Sequence, residues 1–430
     1  MQYTSTRGQC SPASLSFALA AGLAPDGGLY VPALLPQREL AEFDGATTLV
    51  AVTERLLAPF FEGDPLAASL SDIVTEAFDF DLELRALRSP STYSLELFHG
   101  PTSAFKDFGA RFLAACLARI AHQATLTVLV ATSGDTGSAV ASAFHHRPGF
   151  QVAVLYPDGL VSPRQAHQLG AFGDNVFAFR VAGTFDDCQR MVKEALVDPK
   201  LAESVHLTSA NSISLGRLLP QMAYYAWASL VHWRAHGTAL GFVIPTGNLG
   251  NALAAILCRA MGLPIAEIVL ATNANRVLAD FFSGEAYTSR PSIATVANAM
   301  DVGSPSNFER LRWLVPDEAT LRAAFRVEVS DDERLRDSIV QAAESEGVTL
   351  CPHTAAAYAA LRTLRSEGDP RPYAIVATAH PAKFESVVEA VLDQEVTLPV
   401  ALARTLARTA KAEPMAASTT ALAERLRSLG

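Results

Sequence analysis

The sequence predicts an α/β protein whose strands form parallel sheets covered by helices, together with a mainly helical N-terminal region. Short runs of β-branched and aromatic residues begin near residue 92 and alternate with amphipathic segments of helical length. This alternation is typical of βαβ units, whose strands pair in parallel. Pro and Gly punctuate residues 1–90, which otherwise show helical patterning. The 430 residues exceed one ordinary core, so more than one domain is expected.

Most of the predicted strands are followed by a helix, among them helices over 107–122 and 213–235. The predicted strands span 92–98, 125–131, 151–156, 175–181, a short run near His206, 241–245, 265–272 and 373–378. Ligands of parallel sheets bind beyond the carboxyl ends of the strands, and the glycine-rich segments of this chain lie at such ends. The functional site is therefore expected there. Residues 397–430, rich in Ala, Arg and Thr, are predicted to form a peripheral helix or a loose tail.

Charge and cysteine content exclude several classes of partner and site. The chain carries 34 basic and 44 acidic residues, a net charge of −10, and no basic cluster, so neither nucleic acid nor an anionic membrane is an expected partner. No apolar run reaches the ~20 residues of a membrane span. The five scattered cysteines, without CxxC spacing, argue against a disulfide framework or a structural zinc site. We expect no metal and a cytoplasmic location.

Two glycine-rich loops follow predicted strands. In PTGNLGN (245–251), Gly247 and Gly250 lack Cβ atoms where a backbone must approach a ligand closely. The helix that follows offers free amides and a partial positive charge, which indicates a phosphate cradle, although a plain tight turn has a similar pattern. In ATSGDTGSA (131–139), hydroxyls and amides suit a small carboxylate better than the pyrophosphate of a dinucleotide, which is the alternative.

Lys106 is the candidate reactive amine. It lies between the apolar Phe105 and Asp107, the predicted N-cap of the next helix. Desolvation and a nearby helix N-terminus both disfavour an ammonium, so the pKa of this amine is expected to fall. A neutral amine is what Schiff-base chemistry requires. The same residues also fit a surface lysine with a buried stem, so the local pattern leaves both interpretations open.

The segment around this lysine, LELFHGPTSAFKDFGARFLA (95–114), resembles the cofactor-lysine segment of threonine synthases, which are fold-type-II pyridoxal-phosphate enzymes. Further segments resemble the same family in the same order, and the resemblance spans about residues 3–385. They are YTSTRG (3–8), DGGLYVP (26–32), ATSGDTGSAV (131–140), NSISLGRLLPQ (211–221), PTGNLGNALA (245–254), ATNAN (271–275), ANAMDVGSPSNFER (297–310) and TAHPAKF (378–384).

The resemblance implies pyridoxal 5'-phosphate as cofactor and a role for each matching residue. Lys106 would hold the cofactor as a Schiff base and shuttle protons, and Thr378 would hydrogen-bond the pyridine nitrogen. The cofactor phosphate would be bound by Gly247, Asn248, Leu249, Gly250 and Asn251. The substrate carboxylate would be received by Ser133, Gly134, Asp135 and Thr136, and the substrate phosphate would lie near Asn211, Ser212 and Arg217.

The implied fold resembles the tryptophan synthase β subunit and divides the chain into domains. A large cofactor-binding α/β domain would take 91–106 and 213–396, and a small α/β domain 107–212. The N-terminal region 1–90 and the C-terminal segment 397–430 complete the division. The small domain is expected to move on the large one.

The implied activity is the last step of threonine biosynthesis, in which O-phospho-L-homoserine and water give L-threonine and phosphate by β,γ-replacement. The alternative is an O-phosphohomoserine phospho-lyase, or another fold-type-II dehydratase, which would release 2-oxobutanoate. A non-catalytic relative would be expected to have lost Lys106 or the phosphate loop, and the chain keeps both. Since shorter members of the family are often monomers, a monomer is expected.

Overall fold

Two sheets, one of six strands and one of five, form the framework of this computed structural model, which describes residues 1–120 and 125–429. The strands are β1 (Tyr3–Ser5), β2 (Tyr30–Pro32), β3 (Glu83–Ala86), β4 (Thr92–Glu96), β5 (Leu126–Ala131), β6 (Phe150–Pro157), β7 (Val176–Ala182), β8 (His206–Ser209), β9 (Leu240–Pro245), β10 (Ile265–Thr272), β11 (Arg326–Val329), β12 (Tyr373–Ala377) and β13 (Glu413–Ala416).

Helices cover the sheets and build most of the N-terminal region. They are α1 (Leu15–Ala21), α2 (Leu49–Phe61), α3 (Leu70–Ala77), α4 (Lys106–Leu117), α5 (Asp135–Phe144), α6 (Pro163–Gly170), α7 (Phe185–Val197), α8 (Pro199–Ala202), α9 (Leu215–Leu218), α10 (Met222–His236), α11 (Gly250–Ala260), α12 (Val277–Phe282), α13 (Phe308–Leu314), α14 (Glu318–Ala323), α15 (Asp332–Glu346), α16 (Pro352–Ser366), α17 (Glu385–Leu392), α18 (Val400–Leu406) and α19 (Thr419–Arg427). Short 3-10 turns include 298–300 and 381–384.

The six-stranded sheet has the order β11-β10-β9-β12-β4-β3. All neighbours pair in parallel except β3, which runs antiparallel to β4 at the edge. Every residue of the central strands β9 and β12 is buried, because helices pack on both faces of the sheet. That burial explains their unbroken apolar sequences, and the predicted α/β class is confirmed.

The five-stranded sheet has the order β13-β7-β6-β5-β8 and is parallel throughout. Its edge strand β13 comes from the C-terminal segment 397–430, and α19 packs against α7. The composition of this segment predicts only a helix or a tail. A four-residue strand with Pro414 and a single buried residue, Met415, leaves no alternating pattern for a sequence to display.

Proline accounts for a second difference. The helix predicted over 213–235 consists of α9, a 3-10 turn over 219–221 and α10. Pro220 cannot donate a backbone hydrogen bond and would clash with the preceding helical turn, so the α-helical pattern is interrupted there. The helix predicted over 107–122 begins at Lys106 and ends at Leu117, and residues 121–122 of that prediction lie outside the described residues.

The N-terminal region is mainly helical but contributes β1 and β2, which pair with each other, and β3, which extends the six-stranded sheet. Its helices α1 and α3 pack against α4, and α2 packs against α10. This packing fixes the helix that begins at Lys106. Across the part of the chain that the structure describes, no helix has the length and apolarity to cross a bilayer.

Candidate active site

The carboxyl ends of strands from both sheets surround one cleft. Its first cavity, about 660 Å³ including the solvent at its mouth, is lined by Lys106 after β4, by residues 245–252 after β9 and by Thr378 after β12. A second cavity shares Lys106 and lies against the ends of β5 and β8. Lys106 therefore lies where the two cavities join, one against each sheet.

Lys106 opens α4 and presents its amine to the cleft. Its Nζ lies 4.2 Å from the centroid of the Phe105 ring. Burial lowers the pKa of Lys106 to about 7, the positive charge of Arg217 acts in the same direction, and the charge of Asp135 opposes both. A large share of the amine is therefore unprotonated near neutral pH. That is the state in which it attacks an aldehyde.

The prediction that Asp107 caps α4 is wrong. Asp107 lies inside the first turn and is fully buried, and no side chain caps the helix. Its carboxylate instead accepts hydrogen bonds from the backbone N–H (2.9 Å) and the hydroxyl (2.7 Å) of Thr102. A Cβ on Gly100 would lie 2.5 Å from the Asp107 carboxylate, so the HGPTS turn folds back onto α4 only with glycine there.

The loop between β9 and α11 has the geometry of an anion site. Leu249 adopts a left-handed conformation (φ 64°) directly before the helix, and the first turn of α11 contains no acidic residue. The amides of that turn have no intrahelical acceptor and carry partial positive charge. A Cβ on Gly247 would lie 2.7 Å from the Cα of Met300, so the loop packs against the 298–300 turn only without a side chain.

Side chains hold this loop in place. Asn248 donates from Nδ2 to the hydroxyl of Ser212 and accepts at Oδ1 from the backbone N–H of Ser306. The Oδ1 of Asn251 accepts from Tyr224 (2.6 Å) and from the neighbouring tyrosine at 225 (2.9 Å). Its Nδ2 is buried and has no hydrogen-bond partner among the described residues. A buried donor without an acceptor beside a cavity indicates a ligand that supplies one.

Thr378 and His353 also line the first cavity. The Thr378 carbonyl accepts from the backbone N–H of Phe105 (2.8 Å), which ties the end of β12 to the residue before Lys106. His353 accepts at Nε2 from the backbone N–H of Ala299 (3.0 Å). Burial lowers the pKa of His353 to about 4, so the ring is neutral and fixes the turn that covers Gly247.

The second cavity contains most of the residues predicted to contact substrate. Ser133, Thr136 and Asn211 line it, and Asp135 and Ser212 line both cavities. Gly134 is not among the residues that line the second cavity, and its backbone N–H donates to the hydroxyl of Thr132 (2.9 Å). Its φ of 135° and the 2.5 Å that would separate a Cβ from the Gln165 amide explain why glycine is needed there.

Arg217 is buried and lines the first cavity, which the phosphate loop also lines. Its Nη1 donates to the carbonyl of Ala210 (2.5 Å), and its Nε has no partner in the described part of the chain. Burial lowers the pKa of Arg217 to about 10, so it remains a cation at neutral pH. Of the three residues predicted to lie near the substrate phosphate, Arg217 lines the first cavity, Asn211 the second, and Ser212 both.

Asp135 and Lys383 form a buried ion pair between the two sheets. The Lys383 Nζ lies 2.9 Å from Oδ1 of Asp135 and donates to the carbonyl of Thr102 (2.7 Å). Gln165 donates to the same Oδ1 (2.9 Å). Burial by itself would raise the pKa of Asp135, but the charge and hydrogen bond of Lys383 outweigh it and hold that pKa below its ordinary value.

Several residues of the cleft were not predicted. Phe185 and Gln189 of α7 line the second cavity, while Gln165 and His353 act through hydrogen bonds to loop residues. No local pattern separates these side chains from ordinary surface or core residues. Lys383 lies in TAHPAKF, a segment already connected with the site, but its sequence gives no sign of the partner at 135.

Three family profiles match the chain. One described as "Pyridoxal-phosphate dependent enzyme" matches residues 85–381. One described as "Threonine synthase N terminus" matches residues 2–78, and one described as "Threonine synthase, C-terminal" matches residues 354–425. The matches cover every segment that forms the cleft.

Individual relatives agree. The chain is 39% identical to a threonine synthase of Serratia marcescens over 392 residues, which is 91% of this chain and 90% of that protein. The crystal structure of threonine synthase from Escherichia coli superposes with a TM-score of 0.94 at 34% identity, covering 100% of both chains. A threonine synthase from Brucella melitensis with bound PLP has a TM-score of 0.89 at 33% identity, covering 100% of this chain and 99% of that one. This chain therefore belongs to the threonine synthase family of pyridoxal-phosphate-dependent enzymes.

Proposed function

We propose that this chain converts O-phospho-L-homoserine and water to L-threonine and phosphate, with pyridoxal phosphate bound at Lys106. The observation that carries the proposal is the position of this lysine between two cavities. One cavity has an anion-binding loop, and the other has the hydroxyls and charged groups that suit an amino-acid substrate.

The residues of the first cavity fit the cofactor. The loop 247–251 offers unpaired helix amides, a glycine where a side chain would collide, and the buried Nδ2 of Asn251 without a partner. These features suit a phosphate group. On the proposed assignment, Thr378 presents its hydroxyl to the pyridine nitrogen from the end of β12. Bound there, pyridoxal phosphate supplies an electron sink that stabilises negative charge developing next to the substrate amine.

Lys106 is proposed to move protons as well as to bind the cofactor. Because the pKa of its amine is about 7, Nζ can accept a proton at neutral pH and return it. Its position at the junction of the cavities supports transfer at both Cα and Cβ of a substrate in the second cavity. Arg217 lines the same cavity as the phosphate loop and remains a cation, which supports the binding of a phosphate group there.

We assign different roles to the individual residues of the loop 133–136. The hydroxyls of Ser133 and Thr136 are suited to the substrate carboxylate, which needs hydrogen-bond donors. Asp135 is ionised and would repel a carboxylate, so we assign it to a cationic or proton-donating group instead. The amide of Gly134 is already engaged by Thr132, and we assign to Gly134 the turn itself.

A paired assay of wild type and Lys106→Ala tests the proposal. The wild type with pyridoxal phosphate is expected to show a visible absorption band and to release threonine and phosphate in equal amounts from O-phosphohomoserine. The variant is expected to lose the band and the turnover. Release of 2-oxobutanoate in place of threonine would assign the chain to the phospho-lyase alternative, and persistent turnover in the variant would contradict the role of Lys106.

We further propose that the chain acts as a monomer in a reducing, cytoplasmic compartment. All five cysteines are unpaired thiols, and four of them are buried, which supports a reducing compartment. Light scattering coupled to size exclusion is expected to give a mass near 45.7 kDa. A mass of twice that value would contradict the monomer.

A further inference from the structure

We propose that Lys383 is a positioning residue, which holds the Asp135 carboxylate ionised in the cleft as the counter-charge of the reacting amines. The inference rests on the proposed function. It concerns a lysine that contacts neither cavity but binds a residue that lines both.

The contacts of Lys383 identify Asp135 as its ion-pair partner, while its charge also acts, without a direct contact, to lower the pKa of the buried Asp107 that burial raises. Its side chain is 0% exposed, and its ammonium has two close oxygen partners, Oδ1 of Asp135 and the carbonyl of Thr102. The Thr102 carbonyl belongs to the turn that leads into Lys106, so one ammonium connects the reactive lysine's turn with the 133–136 loop. A buried ammonium costs free energy unless it is paired and hydrogen-bonded, and here both conditions are met.

The two carboxylate oxygens of Asp135 have different surroundings. Oδ1 receives both Lys383 and the amide of Gln165. The hydrogen bonds found for this carboxylate within residues 1–120 and 125–429 all go to Oδ1, which leaves Oδ2 as the acceptor on the cavity side. An ionised oxygen there faces the site where Lys106 and the substrate amine carry a proton during the reaction.

The pair also connects the two sheets, and a second contact at the same boundary provides a control. Lys383 lies in the 381–384 turn after β12, and Asp135 opens α5 after β5. Nearby, Arg164 of α6 donates to the carbonyl of Ala382 (2.8 Å) and pairs with Glu389 of α17 (3.0 Å). Loss of Arg164 weakens the same boundary without touching Asp135.

The test compares Asp135→Asn, Lys383→Met, the double variant and Arg164→Met as holoenzymes, with the cofactor's visible absorbance titrated against pH without substrate. Asp135→Asn leaves the Lys383 charge alone beside the site amine, so the spectral pKa is expected to fall by about one unit or more. The double variant removes both charges, so most of that fall is expected to be reversed. Arg164→Met is expected to keep the wild-type titration.

Activity gives a second measure. In Lys383→Met the buried Asp135 carboxylate loses its cation and is expected to take up a proton more readily. The acid limb of its kcat profile should then move to higher pH by about one unit, so that kcat falls up to about tenfold on that limb while the plateau above it changes less. Arg164→Met should keep the wild-type profile.

Three results would overturn the inference: an unchanged spectral pKa in Asp135→Asn, a double variant whose spectral pKa stays at the Asp135→Asn value, or an Arg164→Met kcat profile that matches that of Lys383→Met.

Thermal unfolding covers the case in which Lys383→Met folds poorly. The double variant should then unfold at a higher temperature than Lys383→Met, because no lone charge remains buried, and a lower temperature would contradict the pairing. Failure of the proposed function differs from all of these, because the wild type itself would then lack the band or make no threonine.

Discussion

Replacing Lys106 by methionine in the cofactor-free protein tests the low pKa of its amine. Burial and Arg217 lower this pKa from 10.5 to about 7. Each unit corresponds to about 1.4 kcal/mol, so the full shift amounts to about 4–5 kcal/mol. Part of the Lys106 side chain faces the solvent of the cleft, which screens its charge. We therefore expect the pKa shift to change the free energy of unfolding by about half of that amount.

The direction of the effect follows from proton linkage. Between pH 7 and 10.5 the unfolded chain keeps a proton on this lysine that the folded protein has released, so unfolding takes up a proton. The stability of the wild type relative to Lys106→Met must then rise with pH over this window. Below pH 7 both states are protonated, and the difference is constant.

The assay is thermal unfolding of both proteins at pH 6, 7, 8 and 9. The melting temperature of the wild type minus that of Lys106→Met is expected to increase by about 1–2 °C from pH 7 to pH 9, because the unfolding entropy of a 430-residue chain is large. Lys193→Met is the control, because Lys193 lies exposed on α7 and its removal takes no charge out of the cleft. A difference between wild type and Lys106→Met that stays flat from pH 7 to 9 would refute the reasoning.

Three further predictions concern binding. Gly247→Ala places a Cβ 2.7 Å from the Cα of Met300, whereas the new Cβ of Gly250→Ala has its nearest neighbour at 3.3 Å. Equilibrium dialysis should therefore show that Gly247→Ala binds pyridoxal phosphate about tenfold or more weakly than Gly250→Ala. Equal affinities of the two variants would contradict the close approach. Arg217→Met removes a buried cation from the first cavity and should weaken inorganic phosphate as a competitive inhibitor by about tenfold, with inhibition constants as the measure; unchanged inhibition would count against a phosphate contact. Gln189→Ala should raise KM for O-phosphohomoserine about threefold to tenfold through a lost hydrogen bond, while cofactor affinity stays constant; a parallel loss of cofactor would assign Gln189 to the first cavity.

The fold was largely predictable because its central strands are buried on both faces. β10 has the predicted bounds 265–272, and β9 and β12 differ from the predicted ranges by one residue at one end. Continuous apolar sequence between turn residues indicates such strands directly. The edge strands β11 and β13 gave no such signal, since all four residues of β11 are half-buried and β13 has one buried residue.

The site was predictable where backbone conformation restricts the residue type. A Cβ would collide with a neighbouring residue at Gly100, in the turn before Lys106, and at Gly134 and Gly247. Glycine is therefore required at these positions, and its presence in the sequence indicates the local geometry. The Asp135–Lys383 pair joins residues 248 positions apart and depends on how two sheets pack, which no local pattern encodes. The capping prediction for Asp107 failed for a different, local reason: the carboxylate accepts both hydrogen bonds of Thr102, five residues earlier, in the turn that folds back onto α4.

The most direct test of the account is the identity of the lysine that binds the cofactor. Borohydride reduction of the holoenzyme fixes the cofactor to its lysine, and peptide mass spectrometry then locates it. The pyridoxyl group is expected on Lys106, about half of whose amine is unprotonated at neutral pH. Label on Lys383, the fully buried lysine that pairs with Asp135, or no label on the peptide containing Lys106, would contradict it.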